Sequence, residues 1–407
     1  MDLLYLTSYF PKRSETFIYR EVLGLRKLGV SIITASLHES QRLEDEPVLQ
    51  ALADETIMLY PAGIGRLLLD AASFSLCNLI SAFRALSLGL EDFFTASDLR
   101  LGDRVKIPVQ TLAALALAWR LRHHQLSGIH IHMAHAPTTV GMYLARALAI
   151  PMSFTGHAVD LFRDRSLLRQ KLQRATFVSC ISSWHSNWYR SIVPGDDSKY
   201  PVIRCGVEVP EPVISSSGEG PLRILGLARL VSKKGFDTLM EALSKVNQQH
   251  VAFECTLAGD GPEFSSLQGM VRSLGLSEQV RFLGGVAHGR VSDLLRSTDV
   301  MILPCRVDAQ GDRDGIPVAL MEAMAHGLPV ICGDLPTIRE LIEDRVTGLI
   351  VPPGESNALA EAICKLASDS TLRTTLGSAG RNRVNEEFAS GSNLVRLMKS
   401  FSEHRLL

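Results

Sequence analysis

The sequence predicts an α/β protein built from two doubly wound domains, each a parallel sheet covered by helices. The chain has 407 residues, more than one ordinary hydrophobic core supports, so two domains of roughly 200 residues each are expected. Short apolar strands alternate with helical stretches on both sides of a central break. That break, residues 209–221, is rich in proline, serine and glycine and predicts a linker.

The composition is that of an ordinary globular protein. Hydrophobic residues make up 46% and charged residues 21% of the chain, which argues against a largely disordered protein. A net charge of −1 offers none of the basic excess that nucleic-acid-binding proteins carry. The seven cysteines are scattered and form no Cys-x-x-Cys pair, which favours a reduced, cytoplasmic protein over a disulfide framework or a zinc site.

The first predicted domain, residues 1–208, begins with a β-loop-α-β unit. A strand is expected at 3–6, a helix at 16–28 that Gly29 ends, and a strand at 30–37. Residues 47–125 are rich in leucine and alanine and predict mostly helix. Further strands are expected at 129–132, 152–154, 177–181 and 202–204, with a helix at 138–148.

The same alternation restarts in the second predicted domain, residues 222–378. Strands are expected at 223–227, 252–258, 280–283, 300–303 and 329–332, with a helix at 236–247. Residues 379–407 predict a last helix that could return to the first domain. In such an architecture a ligand belongs in the crevice between the domains, at the carboxyl ends of the strands.

Contact with a membrane is the open question of the first half. The N-terminus enters a strand pattern directly, and no apolar run reaches the length of about 20 residues that spans a bilayer. We therefore expect a cytoplasmic protein, peripheral at most to the inner face of the membrane. Several apolar residues form either core, the favoured interpretation, or an amphipathic membrane-contacting surface. They are Leu67, Leu68, Leu69, Phe74, Leu79, Ile80 and Phe83.

The segment 314–330 is the strongest functional signal. Pro317 suits the first turn of a helix, and Gly327 ends that helix before a strand. With Gly315 ahead of it, the helix N-terminus leaves N–H groups free to hold an anion such as a diphosphate. Asp314 and Glu322 could accept hydrogen bonds from sugar and ribose hydroxyls. The alternative is a surface helix with two incidental acids.

A second signal lies in the segment 226–235, which leaves the first strand after the linker. Arg229 and Lys234, five residues apart, could clamp a diphosphate, the arginine binding two oxygens and the lysine acting as a point charge. We expect the intervening Lys233 to face solvent. The alternative is a solvated basic turn.

Together these segments resemble the signature of the family-4 retaining glycosyltransferases, which have the GT-B fold of two Rossmann-like domains facing across a cleft. The signature is acid-x7-acid within Gly-x-Pro…Glu-Ala-Met-Ala-x-Gly-x-Pro-Val, and the chain has Asp314 where the family usually has glutamate. The resemblance implies that Glu322 binds the nucleotide ribose and that Asp314 faces the donor sugar. It also implies that Arg229 and Lys234 bind the diphosphate and stabilise the leaving group. Further donor contacts are expected from Gly315, Ile316, Pro317, Val318, Gly284 and Val286.

The first half holds the acceptor-side candidates. His157 follows a strand end and a glycine, and the family often has Gly-His-x-x-Asp there, with the histidine near the transferred sugar. The segment 14–21 resembles that of the colanic-acid and exopolysaccharide transferases. Acceptor-side roles are therefore expected for Ser14, Glu15, His135 and Asp160. Ser14 alternatively caps the following helix, and Asp160 is alternatively structural.

Two patterns suggest a metal, and neither is the favoured interpretation. Residues 312–314 spell Asp-x-Asp, a metal-binding signature of the other glycosyltransferase fold, which has one α/β unit where this chain predicts two. His130, His132 and His135 form a cluster, but zinc usually needs further ligands and oriented partners. We expect no metal and no cofactor.

The resemblance implies a retaining glycosyltransferase that moves a hexose-type sugar from a nucleotide-diphosphate sugar to a glycan or lipid-linked acceptor. No residue stands out as a covalent nucleophile, which favours front-face attack with charge stabilisation and positioning as the sources of catalysis. The base could be uridine or guanosine. A sugar-nucleotide epimerase of the same fold and an inactive sugar-nucleotide-binding subunit remain as alternatives.

Overall fold

The computed structural model describes residues 1–13, 15–40, 46–96, 99–157, 165–211 and 220–407. The chain divides into two compact units. The first unit comprises Met1–Arg204 together with Asn393–Leu407, and the second comprises Cys205–Ser392. Most of the predicted linker, residues 212–219, lies outside the described residues, as do the candidates Ser14 and Asp160.

The first unit contains a parallel sheet, which has six strands in the described part of the chain. They are β1 (Asp2–Tyr9), β2 (Ile32–His38), β3 (Ile57–Met58), β4 (Leu126–His132), β5 (Met152–Gly156) and β6 (Phe177–Cys180). Their order is β3-β2-β1-β4-β5-β6, which is the doubly wound order with its reversal between β1 and β4. The predicted strand at 202–204 is reduced to one bridge between Cys180 and Val202, and the Arg204 N–H donates to the Asn393 side chain.

Helices cover both faces of this sheet, and residues 47–125 are mostly helical as the composition predicts. The helices are α1 (Thr16–Lys27), α2 (Pro47–Glu55), α3 (Gly63–Cys77), α4 (Leu79–Thr95), α5 (Leu101–Arg104), α6 (Lys106–Arg120), α7 (Ala136–Leu148), α8 (Leu168–Arg174) and α9 (Ser183–Ile192). None of the helices in the described residues is long and apolar enough to cross a membrane.

The assignment of the apolar residues in α3 and α4 to the core is wrong for most of them. Leu67 and Phe74 are buried, but the others point away from the unit. The exposed ones are Leu68, Leu69, Leu79, Ile80 and Phe83. The reason is that α4 packs through its small residues, Ala82, Ala85 and Gly89. A Cβ on Gly89 would lie 2.4 Å from the Thr111 hydroxyl of α6, so the close approach turns the large side chains outward.

The second unit repeats the same winding. Its described strands are β7 (Leu222–Leu227), β8 (Phe253–Ala258), β9 (Val280–Gly284), β10 (Val300–Leu303), β11 (Val330–Gly333) and β12 (Leu349–Val351). They are parallel in the order β9-β8-β7-β10-β11-β12, with the reversal between β7 and β10. The helices are α10 (Phe236–Gln248), α11 (Phe264–Ser273), α12 (Val291–Arg296), α13 (Val318–Ala325), α14 (Ser356–Ser368) and α15 (Ser370–Glu387).

The C-terminal segment differs from the single helix expected at 379–407. Helix α15 stays in the second unit, where Gly377 lies so close to the Gly327 carbonyl that a Cβ would be 2.0 Å from its oxygen. The chain then bends, and Ala389 forms a parallel bridge with Val207. Only the last helix, α16 (Ser390–Glu403), enters the first unit, from Asn393 onward.

Candidate active site

In the second unit, two loops meet at the point where the strand order reverses. Arg229 and Lys234 lie in the loop that follows β7, and Asp314 lies in the loop that follows β10. Gly235 has φ of 70°, and a Cβ there would be 2.2 Å from the Pro304 carbonyl oxygen, so glycine allows the loops to approach. Doubly wound sheets bind their ligands at this place, at the carboxyl ends of the strands.

A buried ion pair joins these loops. Nζ of Lys234 lies 2.7 Å from Oδ2 of Asp314, and Nζ of Lys233 lies 3.5 Å from Oδ1 of the same carboxylate. Lys233 also contacts Asp312 at 3.2 Å and is only 14% exposed, so the expectation that it faces solvent is wrong. The carboxylates of Asp312 and Asp314 draw its ammonium inward. The carboxyl groups of the Asp-x-Asp pattern therefore pair with lysines in this structure.

The electrostatics of the pair keep both partners charged. Burial alone would raise the pKa of Asp314, but the charges of Lys234 and Lys233 and hydrogen bonds hold it below its ordinary value of 3.8. Burial alone would lower the pKa of Lys234, but Asp314 raises it above its ordinary value of 10.5. The Cys305 thiol donates to Oδ2 of Asp314 at 3.2 Å, and burial raises the pKa of that thiol. At neutral pH the site holds a carboxylate and an ammonium.

Helix α13 begins beside this pair. Pro317 is the N-cap residue with extended backbone (φ −66°, ψ 125°), one position earlier than the predicted first turn. The N–H groups of Leu320 and Met321 bond the Pro317 carbonyl. The N–H groups that precede them have no intrahelical acceptor, as at every helix start, and can bind an anion. Glu322 lies one turn into the helix and is half-buried.

Two residues that sequence reasoning missed fix the loop before α13. The Thr337 hydroxyl donates to the carbonyls of Asp314 (3.2 Å) and Gly315 (3.0 Å), and the Cys305 thiol holds the Asp314 side chain. Neither residue lies in a recognisable motif, and no signal in the sequence distinguishes them from ordinary core residues.

The remaining donor candidates lie at the same edge of the second sheet. Gly284 ends β9 with φ of 68°, and its carbonyl accepts from the Gly259 N–H at 2.8 Å. A Cβ on Gly259 would lie 1.8 Å from the Ala228 carbonyl oxygen, so this turn supports the loop that carries the exposed Arg229. Val286 follows β9 and packs partly buried against the core of the unit. Their contacts with a donor stay predictions.

The first unit has its own polar cluster on β4, β5 and α1. Nδ1 of His132 lies 3.1 Å from Nε2 of His157, and Nε2 of His132 lies 2.9 Å from Oε1 of Glu21. The Tyr5 hydroxyl donates to the same Glu21 oxygen at 2.9 Å. Burial lowers the pKa of His157, and the neighbouring His132 lowers it further, so its ring is neutral at neutral pH.

Glu21, His130 and His132 are the one group in the described residues whose ligand atoms, all within 4.8 Å, could hold a metal ion. Hydrogen bonds already occupy these atoms. Nδ1 and Nε2 of His130 bond the hydroxyls of Ser153 (2.8 Å) and Thr155 (3.1 Å). Burial lowers the pKa of His130 well below 6.5, and the neighbouring His132 and His157 lower it further. The bonds satisfy the cluster as a polar network.

Two other acceptor-side candidates have structural partners. Glu15 is the N-cap residue of α1, and its carboxylate contacts Nζ of Lys12 at 2.5 Å. His135 is the N-cap residue of α7, and its carbonyl accepts from the buried Lys171 ammonium at 2.9 Å. Their roles toward an acceptor, like that of His157 toward the sugar, stay predictions.

Comparison with known proteins now adds to this geometry. Residues 211–383 match the family described as Glycosyl transferases group 1. Amylovoran biosynthesis glycosyltransferase AmsK of Erwinia amylovora is 37% identical over 193 residues, 47% of each chain. The putative colanic acid biosynthesis glycosyltransferase WcaL of Escherichia coli K12 is 34% identical over 195 residues, 47% of this chain and 48% of that one.

The chain thus spans about half the length of these glycosyltransferases in the alignments. A solved structure extends the likeness to the whole fold. Anabaena HepE, determined in complex with UDP and glucose, has a TM-score of 0.72 and 18% identity, and 99% of each chain is covered. The predicted GT-B fold class and the resemblance to colanic-acid and exopolysaccharide glycosyltransferases are confirmed.

Proposed function

We propose that the chain is a retaining glycosyltransferase that moves a hexose-type sugar from a nucleotide-diphosphate sugar to a glycan or lipid-linked acceptor in exopolysaccharide biosynthesis. The observation that carries the proposal is the buried Lys234–Asp314 pair beside the start of α13. A fixed ammonium and a helix N-terminus at the strand-order reversal form a site for a diphosphate. The names of the relatives support the reaction class and the pathway.

In this proposal the second unit binds the donor. One N–H of the Lys234 ammonium bonds Asp314, and the other two can bond phosphate oxygens. Arg229, exposed on the preceding loop, adds a guanidinium that binds two oxygens, and Glu322 accepts from the ribose hydroxyls. These charges stabilise the nucleotide diphosphate as it leaves and require no metal ion.

The state of Asp314 supports front-face attack rather than a covalent intermediate. Oδ2 of Asp314 accepts from Lys234 and Cys305, and Oδ1 faces Lys233. A carboxylate paired in this way is a weak nucleophile, so Asp314 positions Lys234 and can accept a hydrogen bond from a sugar hydroxyl. The acceptor oxygen then bonds the anomeric carbon on the face that the diphosphate leaves, and its proton passes to a diphosphate oxygen.

The exposed apolar side of α3 and α4 supports a lipid-linked acceptor and peripheral contact at the cytoplasmic side of a membrane. We call this surface the outer face. Its large side chains include Leu68, Leu69, Leu76, Leu79, Ile80, Phe83, Leu90 and Phe94, exposed by 48 to 77%. Arg66 and Arg84 are exposed on the same two helices together with Glu91, and the acids Asp70 and Asp92 are buried in ion pairs. Apolar side chains beside cations suit an anionic bilayer surface.

A turnover assay tests the proposal. The chain is incubated with UDP-glucose or GDP-mannose, with a polyprenyl-diphosphate-linked monosaccharide in detergent or a soluble disaccharide as acceptor. Release of UDP or GDP that depends on acceptor, with retained configuration in the product, is the expected result. Interconversion of the donor sugar without acceptor would identify an epimerase. Nucleotide binding without turnover on any pair would identify an inactive subunit, and either result would contradict the proposal.

A further inference from the structure

Arg306, in the loop after β10, bonds the loop after β7 at two successive peptide groups. Its backbone N–H donates to the Lys233 carbonyl at 2.9 Å, and its Nε donates to the Ser232 carbonyl at 3.1 Å. Ser232 and Lys233 directly precede Lys234, the residue that pairs with Asp314. The bonds of Arg306 therefore fix the backbone from which the Lys234 side chain projects.

The same guanidinium is anchored in helix α10. Its Nη2 donates to Oδ2 of Asp237 at 2.8 Å and to Oγ of Ser232 at 3.3 Å. Asp237 lies in the first turn of α10, where the helix dipole favours a carboxylate. Ser232 precedes Lys234 in the chain and Asp237 follows it, so one side chain binds the loop on both sides of that lysine. Arginine suits this position because its charged, planar group offers five N–H donors in a fixed geometry.

The two residues before Arg306 contact the same pair of loops. The Pro304 carbonyl lies so close to Gly235 that a Cβ there would be 2.2 Å from its oxygen. The Cys305 thiol donates to Oδ2 of Asp314 at 3.2 Å. Of these consecutive residues, Cys305 thus holds the carboxylate of the buried ion pair, and Arg306 holds the turn that carries its ammonium.

We propose that Arg306 is a positioning residue that holds the turn 232–234 in the conformation in which the Lys234 ammonium binds a diphosphate. The positioning depends on the second unit alone, whereas the role toward a nucleotide diphosphate rests on the proposed function. A turn that is fixed in advance loses little freedom when a ligand binds, so more of the contact energy contributes to affinity. The alternative is that Arg306 only stabilises the unit through its ion pair with Asp237.

Hydrogen–deuterium exchange of the full chain tests the positioning without a ligand. In Arg306→Met the segment 229–236 should exchange about tenfold faster or more, because the turn opens more often. Helix α14 of the same unit should exchange as in the wild type, which separates a local effect from a loss of global stability. Arg306→Lys keeps a cation beside Asp237 and should accelerate exchange of the same segment less, and it provides the test if Arg306→Met does not fold.

The matched control is Arg339→Met, which removes an exposed ion pair of the same unit and should exchange as the wild type does at 229–236. Unchanged exchange of this segment in both Arg306 variants would overturn the proposal. Equally accelerated exchange of α14 would do so too, because it would show a general loss of stability.

Nucleotide binding tests whether Arg306 acts through Lys234. Calorimetric titration with UDP and with GDP measures the dissociation constants of the wild type, Arg306→Met, Lys234→Met and the double variant. Arg306→Met should weaken the binding of the nucleotide that the wild type binds by about tenfold. The exposed Arg229 and the start of α13 should leave Lys234→Met with measurable affinity. The double variant should then bind no more weakly than Lys234→Met, whereas independent effects would multiply.

Multiplied effects in the double variant, or unchanged affinity in Arg306→Met, would overturn the role of Arg306 toward the diphosphate. Failure of the wild type to bind UDP or GDP would instead contradict the proposed function. The exchange experiment would still decide whether Arg306 holds the turn, so the two failures can be told apart.

Discussion

Nζ of Lys234 lies 2.7 Å from Oδ2 of Asp314, and the two residues come from loops on opposite sides of the strand-order reversal in the second sheet. The pair does two things at once. It joins the loops after β7 and β10, and it fixes an ammonium beside the N-terminus of α13. The stability of the second unit and the diphosphate binding that we propose for it therefore depend on the same contact.

The first prediction concerns stability. Lys234→Met should lower the free energy of unfolding by about 3 kcal/mol, because it leaves the Asp314 carboxylate buried without its main partner. Chemical denaturation of the full chain measures the change. Arg339→Met removes an exposed partner of Asp334 and should change stability far less than Lys234→Met does. Equal effects of the two substitutions would contradict a special role for the buried pair.

The second prediction concerns pH. The pKa of Asp314 lies below 3.8 in the folded chain, so the contribution of its charge to stability is complete above that value. This contribution to stability is lost as the pH falls through the pKa that Asp314 has in the folded chain. The reason is that the unfolded chain binds the proton at a higher pH than the folded chain does. Asp314→Asn should therefore be less stable than the wild type at pH 7, and the difference should shrink below pH 3.8. A difference that is the same at pH 3 and pH 7 would contradict this assignment.

The third prediction concerns the outer face of α3 and α4. Replacing both Ile80 and Phe83 with glutamine should weaken binding to vesicles that contain phosphatidylglycerol about tenfold or more, since each exposed side chain loses apolar contact with lipid. Co-sedimentation with vesicles measures it. Val395→Gln, at an exposed apolar position on α16, is the control and should bind as the wild type does. Equal binding by all three proteins would contradict the membrane-facing role.

The fourth prediction concerns metal. Zinc or EDTA should leave the melting temperature unchanged, because Ser153 and Thr155 already bond both ring nitrogens of His130. A zinc-dependent rise that His130→Asn abolishes would instead identify the group of Glu21, His130 and His132 as a metal site.

The alternation of strands and helices could be predicted from the sequence because apolar residues repeat with a different period in strands and in helices. The predicted strand at 223–227 and helix at 236–247 are found as Leu222–Leu227 and Phe236–Gln248. The two-residue β3 is too short to leave a pattern, and the end of α15 is set by the bridge between Val207 and Ala389. The latter contact joins positions far apart in the chain.

The candidate site could be predicted from the sequence only in part. Arg229, Lys234, Asp314 and Glu322 lie in compact motifs, whereas Thr337 and Cys305 act through loop contacts that no local pattern records. The link between Glu21 and His157 needs three elements to be folded first. The orientation of α4 could have been predicted from the sequence. Small residues lie at positions 82, 85 and 89, with large apolar residues on the opposite side of the helix, and such a helix packs through its small residues.

We propose that the second unit binds a nucleotide diphosphate without a metal ion, and a thermal-shift experiment tests this binding. The full chain is heated with UDP, GDP, ADP or dTDP, with and without EDTA, and compared with Glu322→Ala. We expect that UDP or GDP raises the melting temperature, that EDTA does not change the rise and that Glu322→Ala abolishes it. No rise with any of the four nucleotides, or a rise that EDTA removes, would contradict it.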